Sequence, residues 1–428
     1  MKLNLIHPRD QLVNIMNRIY DGGMTTLSGG NLSIKDENGD LWITPASVDK
    51  GKLTPQDIMC VHEEGTIVGP HKPSSEYPFH RAIYVQRPDL RAVVHAHPPA
   101  LVSFSIVRQV PDTNIIPQAN RLCGPVGYAS YALPGSEQLG ENIAASFGKG
   151  YNIVILENHG LVTGGTSLLT AFQRLETLDF CARTLIRAQM LGQVNLLSEA
   201  ELSFFDGRPH ELPEFQPSGV SSRVRELRQQ IVEIVRRAVS RQLMISTEGV
   251  VSVRLDENNF LITPTGKDRG ALDIDDVVRI HNGARGHRNL PSRSVRLHEA
   301  IYNAHPDINS VMMAQCPNAM AYAVTATPFD TRTIPESYIM LRSIPQTPFK
   351  TLYTNPQQVA DTISLSTPVL LAQNDCVLTV GSNVLQAFDR LEVAEFSAKS
   401  LIDAAGIGKM IPIGAEEIHD LKVSYSLT

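Results

Sequence analysis

A chain of 428 residues, 42% hydrophobic and 19% charged, holds enough apolar material for two cores and is longer than one ordinary domain. Its formal net charge of −6 includes no large basic block, which argues against nucleic acid as a partner. No stretch approaches a transmembrane helix, the start Met1–Pro8 does not read as a signal peptide, and the five scattered cysteines (Cys60, Cys123, Cys181, Cys316, Cys376) form no Cys-x-x-Cys spacing; these features predict reduced thiols in a cytoplasmic protein with no membrane partner.

In chain order, apolar residues at helical spacing predict a helix from Arg9 to Tyr20. Asn31–Lys35 and Leu41–Thr44 flank the turn-forming run Asp36-Glu37-Asn38-Gly39-Asp40 and predict a hairpin. Ser75–Val85 reads as a helix leading to a buried strand at Val93-Val94, and Val154-Ile155-Leu156 reads as a second apolar strand with His159 at its end. Leu168–Leu191 has the pattern of a long amphipathic helix. Prolines and glycines between Gly207 and Gly219 mark a linker. Beyond it, Val224–Arg241 reads as an arginine-rich helix whose charges form a solvated face.

The two halves repeat each other. Ala171–Glu176 returns as Ala387–Glu392, 216 residues later, and Ile43-Thr44-Pro45 returns as Ile262-Thr263-Pro264, 219 residues later. The sequence therefore predicts similar domains over residues 1–208 and 220–428, joined by a linker at 209–219.

Chemistry concentrates in the first copy. His95 and His97, two apart at a strand end, project to one side and offer two imidazoles to one ion; His159 supplies a third. Three imidazoles with an open fourth position is the composition of a catalytic zinc site, and Glu76 is a candidate acid/base beside it. In the second copy these positions fall on Met313, Gln315, Asp375 and Ser294, and Asn31 falls on Val250. The same scaffold manages without the ligands, so folding alone does not account for the histidines. His80 and His298 occur in both copies, which points to packing.

Gly30-Asn31-Leu32-Ser33, Ile43-Thr44-Pro45, Ser74-Ser75-Glu76, His95-Ala96-His97 and Asn158-His159-Gly160 follow one another as in the class II aldolase/adducin family. Over about residues 8–200 the chain resembles that family, in particular its fuculose-phosphate-aldolase-like members, with the second half a degenerate copy. The resemblance implies an α/β fold of two tandem three-layer α/β/α domains, each a central, largely antiparallel sheet flanked by helices. It implies a zinc-dependent aldolase (Mn²⁺ or Co²⁺ also suit three histidines) that cleaves a small ketose, a sugar phosphate, through a metal-stabilised enediolate. Glu76 would be the acid/base, His95, His97 and His159 the metal ligands, and Gly30, Asn31, Ser47, Ser74 and Ser75 the substrate- and phosphate-binding residues. Glutamate at position 76 favours carbon-bond cleavage over epimerisation, since related pentulose-phosphate epimerases usually carry aspartate there.

The family's oligomeric active sites imply a homo-oligomer, a dimer of tandem chains mimicking a tetramer. Two departures keep alternatives open. Ala46-Ser47 follows Pro45 where aldolases carry a small hydroxyl residue and then glycine, a pair the second copy retains as Thr265-Gly266. No tyrosine stands at Ile115-Ile116-Pro117, where a catalytic one aligns, leaving Tyr128, Tyr131 or Tyr338 as substitutes. The alternatives are a decarboxylase, dehydratase or epimerase using the same metal-enolate chemistry, or a non-enzymatic adducin-like scaffold. A weaker reading groups Gly266, Lys267, Arg293 and Arg296 as an anion pocket with a regulatory role in the second copy.

Overall fold

A computed structural model of the chain describes residues 3–207, 211–216 and 219–427. They form two compact units: residues up to 113 together with 118–182, and residues 114–117 together with those from 183 onward.

The first unit is built on an eight-stranded sheet. Its strands are β1 (Asn31–Lys35), β2 (Leu41–Ile43), β3 (Met59–Val61), β4 (Ile67–Val68), β5 (Ala92–Ala96), β6 (Gly127–Ala129), β7 (Ile153–Leu156) and β8 (Gly160–Gly165). They lie in the order β4-β3-β2-β1-β5-β8-β7-β6, and only β6 and β7 run parallel. The hairpin expected from the sequence is β1–β2, with Ser33 opposite Ile43 and Lys35 opposite Leu41. Asp36 holds its turn, accepting from the backbone N–H groups of Asn38 and Asp40 and from the Trp42 indole N–H.

Both faces of the sheet are apolar, which is why its central strands read as continuous hydrophobic runs. Val93, Val154, Leu156 and Val162 pack on one side with Phe79, Ile83, Leu139, Ile143 and Phe147. The last five come from helices α2 (Tyr77–Gln86) and α3 (Glu137–Gly148). Their strand neighbours Val94, Ile153, Ile155 and Leu161 are equally buried and point the other way. Helix α1 (Pro8–Asp21) packs on β1 and β2, burying Leu12, Ile15, Met16 and Ile19. Burial of each such side chain contributes roughly 1.5–3 kcal/mol. The long helix expected at Leu168–Leu191 is present over those residues as α4.

The second unit repeats the design. Its strands are β9 (Glu214–Phe215), β10 (Val250–Asp256), β11 (Asn259–Ile262), β12 (Val278–His281), β13 (Ala284–Gly286), β14 (Ser310–Ala314), β15 (Gln346–Thr347), β16 (Val369–Ala372) and β17 (Cys376–Gly381). Their order is β15-β16-β17-β14-β10-β11-β12-β13-β9, with β9–β13 and β15–β16 parallel. The copies agree residue by residue: Asn31 lies opposite His95 across β1–β5, and Val250 lies opposite Met313 across β10–β14. Of the segment read as linker, residues 209, 210, 217 and 218 fall outside the described residues, while Glu214-Phe215 adds an edge strand to the second sheet. The arginine-rich helix is α5 (Ser222–Ser240). Arg223 and Arg225 are solvated as expected, but Arg236 turns to donate to the Leu272 carbonyl, and Arg228 faces inward.

All five cysteines are free and buried, and burial pushes the Cys60 and Cys123 thiols up to about 11 and about 12. Among the described residues, no helix is long and apolar enough to cross a membrane.

Candidate active site

His95 sits on β5, between β1 and β8 in the middle of the first sheet, with its ring fully enclosed. The strand ends at Ala96; His97 follows it, anchored by its backbone N–H to the Met24 carbonyl at 3.1 Å. His159 does not end a strand, as the sequence suggested. It closes the tight turn between β7 and β8, reached through Asn158 in a left-handed conformation (φ 54°). Asparagine tolerates that conformation because its short polar side chain bonds locally. Gly160 matters for the same turn: a Cβ there would stand 2.5 Å from the Ala96 carbonyl oxygen and 2.6 Å from the His97 ring.

These elements bring the three imidazoles together, with one ligating nitrogen of each within 4.8 Å of the others. The Nε2 atoms of His95 and His97 are 2.9 Å apart. Glu76 joins them: its carboxylate lies 3.2 Å from His95 Nε2 and 3.8 Å from His159 Nε2. Glu76 is the residue at the start of α2, yet its side chain makes no capping bond and turns inward, buried, toward the histidines.

Protonation follows from the surroundings. His95 Nδ1 donates to the Leu161 carbonyl at 2.9 Å, which leaves Nε2 with a lone pair facing the cluster. Burial, reinforced by neighbouring imidazoles, pushes His95 and His97 down to about 3, so both rings are neutral at physiological pH, the form that ligates metal. Glu76 Oε1 is buried without a hydrogen-bond partner. An orphaned carboxylate oxygen beside converging imidazole lone pairs is a donor set that a divalent cation completes, and its nitrogen ligands suit zinc.

A second layer holds the carboxylate. Asn31 Nδ2 donates to Glu76 Oε2 at 2.7 Å, and Asn31 Oδ1 accepts from His80 Nε2 at 2.5 Å. His80 Nδ1 in turn accepts from Ser33 Oγ at 2.7 Å, and Ser33 meets the Tyr84 hydroxyl at 2.8 Å. The second copy rebuilds the end of this chain, with Ser252 Oγ 2.6 Å from both His298 Nδ1 and the Tyr302 hydroxyl. His298 Nε2, however, is buried without a partner, because Val250 stands where Asn31 does. The packing role read for both histidines is thus shared, while the reach of His80 to Asn31 belongs to the first copy. That reach is the contribution sequence reasoning missed; its only signal was the placement of His80 four residues after Glu76 on one helix.

The residues matched to phosphate binding lie on two adjoining loops. Pro45 bridges to Pro73, Ala46 N–H donates to the Lys72 carbonyl at 2.9 Å, and Ser74 N–H to the Thr44 carbonyl at 3.2 Å. Ser47 and Ser75 are exposed, whereas Ser74 is buried and its hydroxyl accepts from Glu76 N–H. Gly30 has φ 71°, and a Cβ there would stand 2.8 Å from the His95 carbonyl oxygen. Asn31 keeps one amide N–H beyond its two internal bonds. Among the described residues, the side chains of Glu76 and the three histidines make no hydrogen bond, ion pair or ring contact with a tyrosine, and the Tyr128 hydroxyl is buried without a hydrogen-bond partner. In the second copy, Gln315 Nε2 donates to the Asp375 backbone carbonyl at 3.3 Å and Ser294 Oγ meets Ser292 Oγ at 3.0 Å.

Fold and site together define a duplicated α/β protein in which one copy carries a cluster of three histidines and a carboxylate, with His95 and Glu76 buried and His97 and His159 half-buried, and the other lacks it. The chain belongs to the class II aldolase and adducin family: the family model "Class II Aldolase and Adducin N-terminal domain" matches residues 10–186 and again 229–402. A 5-deoxy-D-ribulose 1-phosphate aldolase of Bacillus thuringiensis serovar kurstaki is 32% identical over 199 residues, covering 45% of this chain and 91% of that protein. A 3-oxo-tetronate 4-phosphate decarboxylase of Haemophilus influenzae is 29% identical over 207 residues, covering 47% and 96%. An L-fuculose phosphate aldolase of Methanococcus maripaludis is 32% identical over 173 residues, covering 40% and 93%.

Proposed function

We propose that the first unit is a metal-dependent aldolase that cleaves a small phosphorylated ketose, with Glu76 as its acid/base. The observation that carries this reading is the meeting of Glu76 with His95, His97 and His159 in one cluster. When bound by the three histidines, a divalent ion, zinc on the chemistry of the donors, supplies Lewis acidity toward the ketose oxygens. Cleavage moves one proton overall, from the hydroxyl that becomes the aldehyde carbonyl to the carbon that loses its bond; Glu76 delivers a proton to that carbon and removes it in the reverse direction. Asn31, itself held by His80, orients the Glu76 carboxylate for that transfer. Gly30 admits the substrate closely, and Ser47, Ser74, Ser75 and the remaining Asn31 N–H bind its phosphate with neutral donors. The enzyme works in the cytoplasm as a dimer of tandem chains.

A second reading, decarboxylation of a phosphorylated 3-oxo acid, is favoured by Ser47 standing where aldolases carry glycine and by the likeness to the Haemophilus influenzae decarboxylase. Elemental analysis of the purified protein and of a His95→Ala, His97→Ala double variant comes first. About one divalent ion per chain, lost in the variant, supports the proposal; metal in neither protein after zinc is supplied overturns it. Aldehyde release from phosphorylated ketoses, set against CO₂ release from phosphorylated 3-oxo acids, separates the two readings.

A further inference from the structure

The second unit lacks the first copy's three histidines and glutamate but has a cavity lined by arginines. Helix α5, strand β12 and the segment after β13 wall a cavity of about 300 Å³, into which Arg228, Arg279, Arg288 and His287 bring positive or protonatable groups and Asp275 the carboxylate. The Arg228 side chain is only 15% exposed; its acidic contact, Asp275 at 3.8 Å, is 69% exposed and therefore weak. The Nε atoms of Arg228 and Arg279 are both buried without a hydrogen-bond partner. Arg279 spends one N–H on Asn259 at 3.4 Å and lies 5.9 Å from the Phe215 ring. Burial, and the charges of Arg288 and Arg279, hold the Arg228 guanidinium below its ordinary range. Like charges gathered in a partly dry cavity repel, and an anion between them relieves that repulsion.

The first copy serves as a control. Val278 pairs with Ile262 as Met59 pairs with Ile43, so Cys60 occupies the place of Arg279. Arg9, at the place of Arg228, also has a buried Nε without a hydrogen-bond partner but lies over the Trp42 ring at 4.9 Å, so the copies differ in the second guanidinium, not the first. The second copy has thus placed an additional guanidinium at this position, in a chain whose net charge is −6. Of the anion pocket suggested by the sequence, by contrast, two members are engaged by carboxylates: Lys267 pairs with Asp276 at 2.9 Å and Arg296 with Glu299 at 2.7 Å.

We propose that this cavity binds a small, multiply charged oxyanion of the phosphate-ester class, recognised by Arg228, Arg279 and Arg288. Three guanidinium forks match the oxygens of a phosphate group, and the volume suits a phosphorylated molecule of a few carbons. The proposal is independent of the reaction assigned to the first unit.

Isothermal titration of the full-length protein with inorganic phosphate and with pyrophosphate, in low-salt chloride buffer, tests it. The expected result is saturable binding that weakens at least about tenfold in Arg288→Gln and in Arg228→Gln, and that persists in Ser74→Ala, Ser75→Ala. Arg288 is exposed, so its replacement leaves the core untouched even if the Arg228 variant folds poorly. No saturable binding in the millimolar range overturns the site. Binding that survives the arginine variants but is lost in the serine variant places the anion in the first unit and overturns it equally.

Discussion

His80 and His298 are the same residue in two settings, and the difference isolates what each bond contributes. Replacing His298 with leucine removes one bond to Ser252, which keeps its Tyr302 partner, and buries no new orphan. Replacing His80 with leucine strands Asn31 Oδ1 and loosens the residue that holds Glu76. Leaving a buried acceptor unpaired costs about 1–3 kcal/mol, so urea midpoints are expected to fall more for His80→Leu than for His298→Leu. Equal losses would show that Asn31 finds another donor. For the same reason Asn31→Ala is expected to lower kcat by roughly 10–100-fold with the metal content unchanged, as outer-shell changes do. Steady-state assays alongside elemental analysis check this; a drop in metal content without a drop in kcat per bound metal would make Asn31 a support of the ion and not of Glu76. The donors of this site were legible in the sequence because His, Glu and Asn declare their chemistry. Their pairing was not, because Asn31 reads equally well as a phosphate ligand.

At the scale of elements, a cation lies under the same loop in each copy. Lys50, opening the turn Lys50–Lys52 after β2, donates to the Pro45 carbonyl; Arg269, opening Arg269–Ala271 after β11, donates to the Pro264 carbonyl at 3.0 Å. Burial pushes Lys50 down from 10.5 to about 8. Above about 8 the folded chain has released this proton while the unfolded chain keeps it to about 10.5, so the unfolded state binds more protons and stability rises with pH across that window. The rise is at most about 3–4 kcal/mol. Arginine does not titrate there, so the stability of the wild type relative to Lys50→Arg is expected to grow between those pH values when denaturation midpoints are compared. A constant difference would mean that Lys50 stays protonated. Among the elements, α1, the β1–β2 hairpin and α4 were legible because their signals are local: apolar period, turn residues and uninterrupted helix formers. The parallel edge pairs β6–β7, β9–β13 and β15–β16 were not, since strands of two to four residues carry too little pattern to announce their partners.

For the whole molecule, duplication with one-sided loss makes a spatial prediction. Hydrogen exchange measured with and without zinc is expected to slow in β1, β5 and the β7–β8 turn, and not in β10, β14 or the β16–β17 turn, because a ligand stabilises only the state and site that bind it. Slowing in both sets would show a second metal site and contradict the reading of Met313, Gln315 and Asp375 as losses.

The sequence alone determined that the chain is a tandem repeat, that its first copy carries three imidazoles and a carboxylate in the order of one family, and that its second copy does not. Those are properties of residue identity and spacing. Only the tertiary structure decided that Asn31 grips Glu76 across 45 residues, that Leu161 sets the tautomer of His95 across 66, and that arginines of α5 and β12 close on one cavity. Contacts at such separations are set by strand order and register, which depend on how two sheet faces bury their apolar side chains and not on the preferences of any short segment.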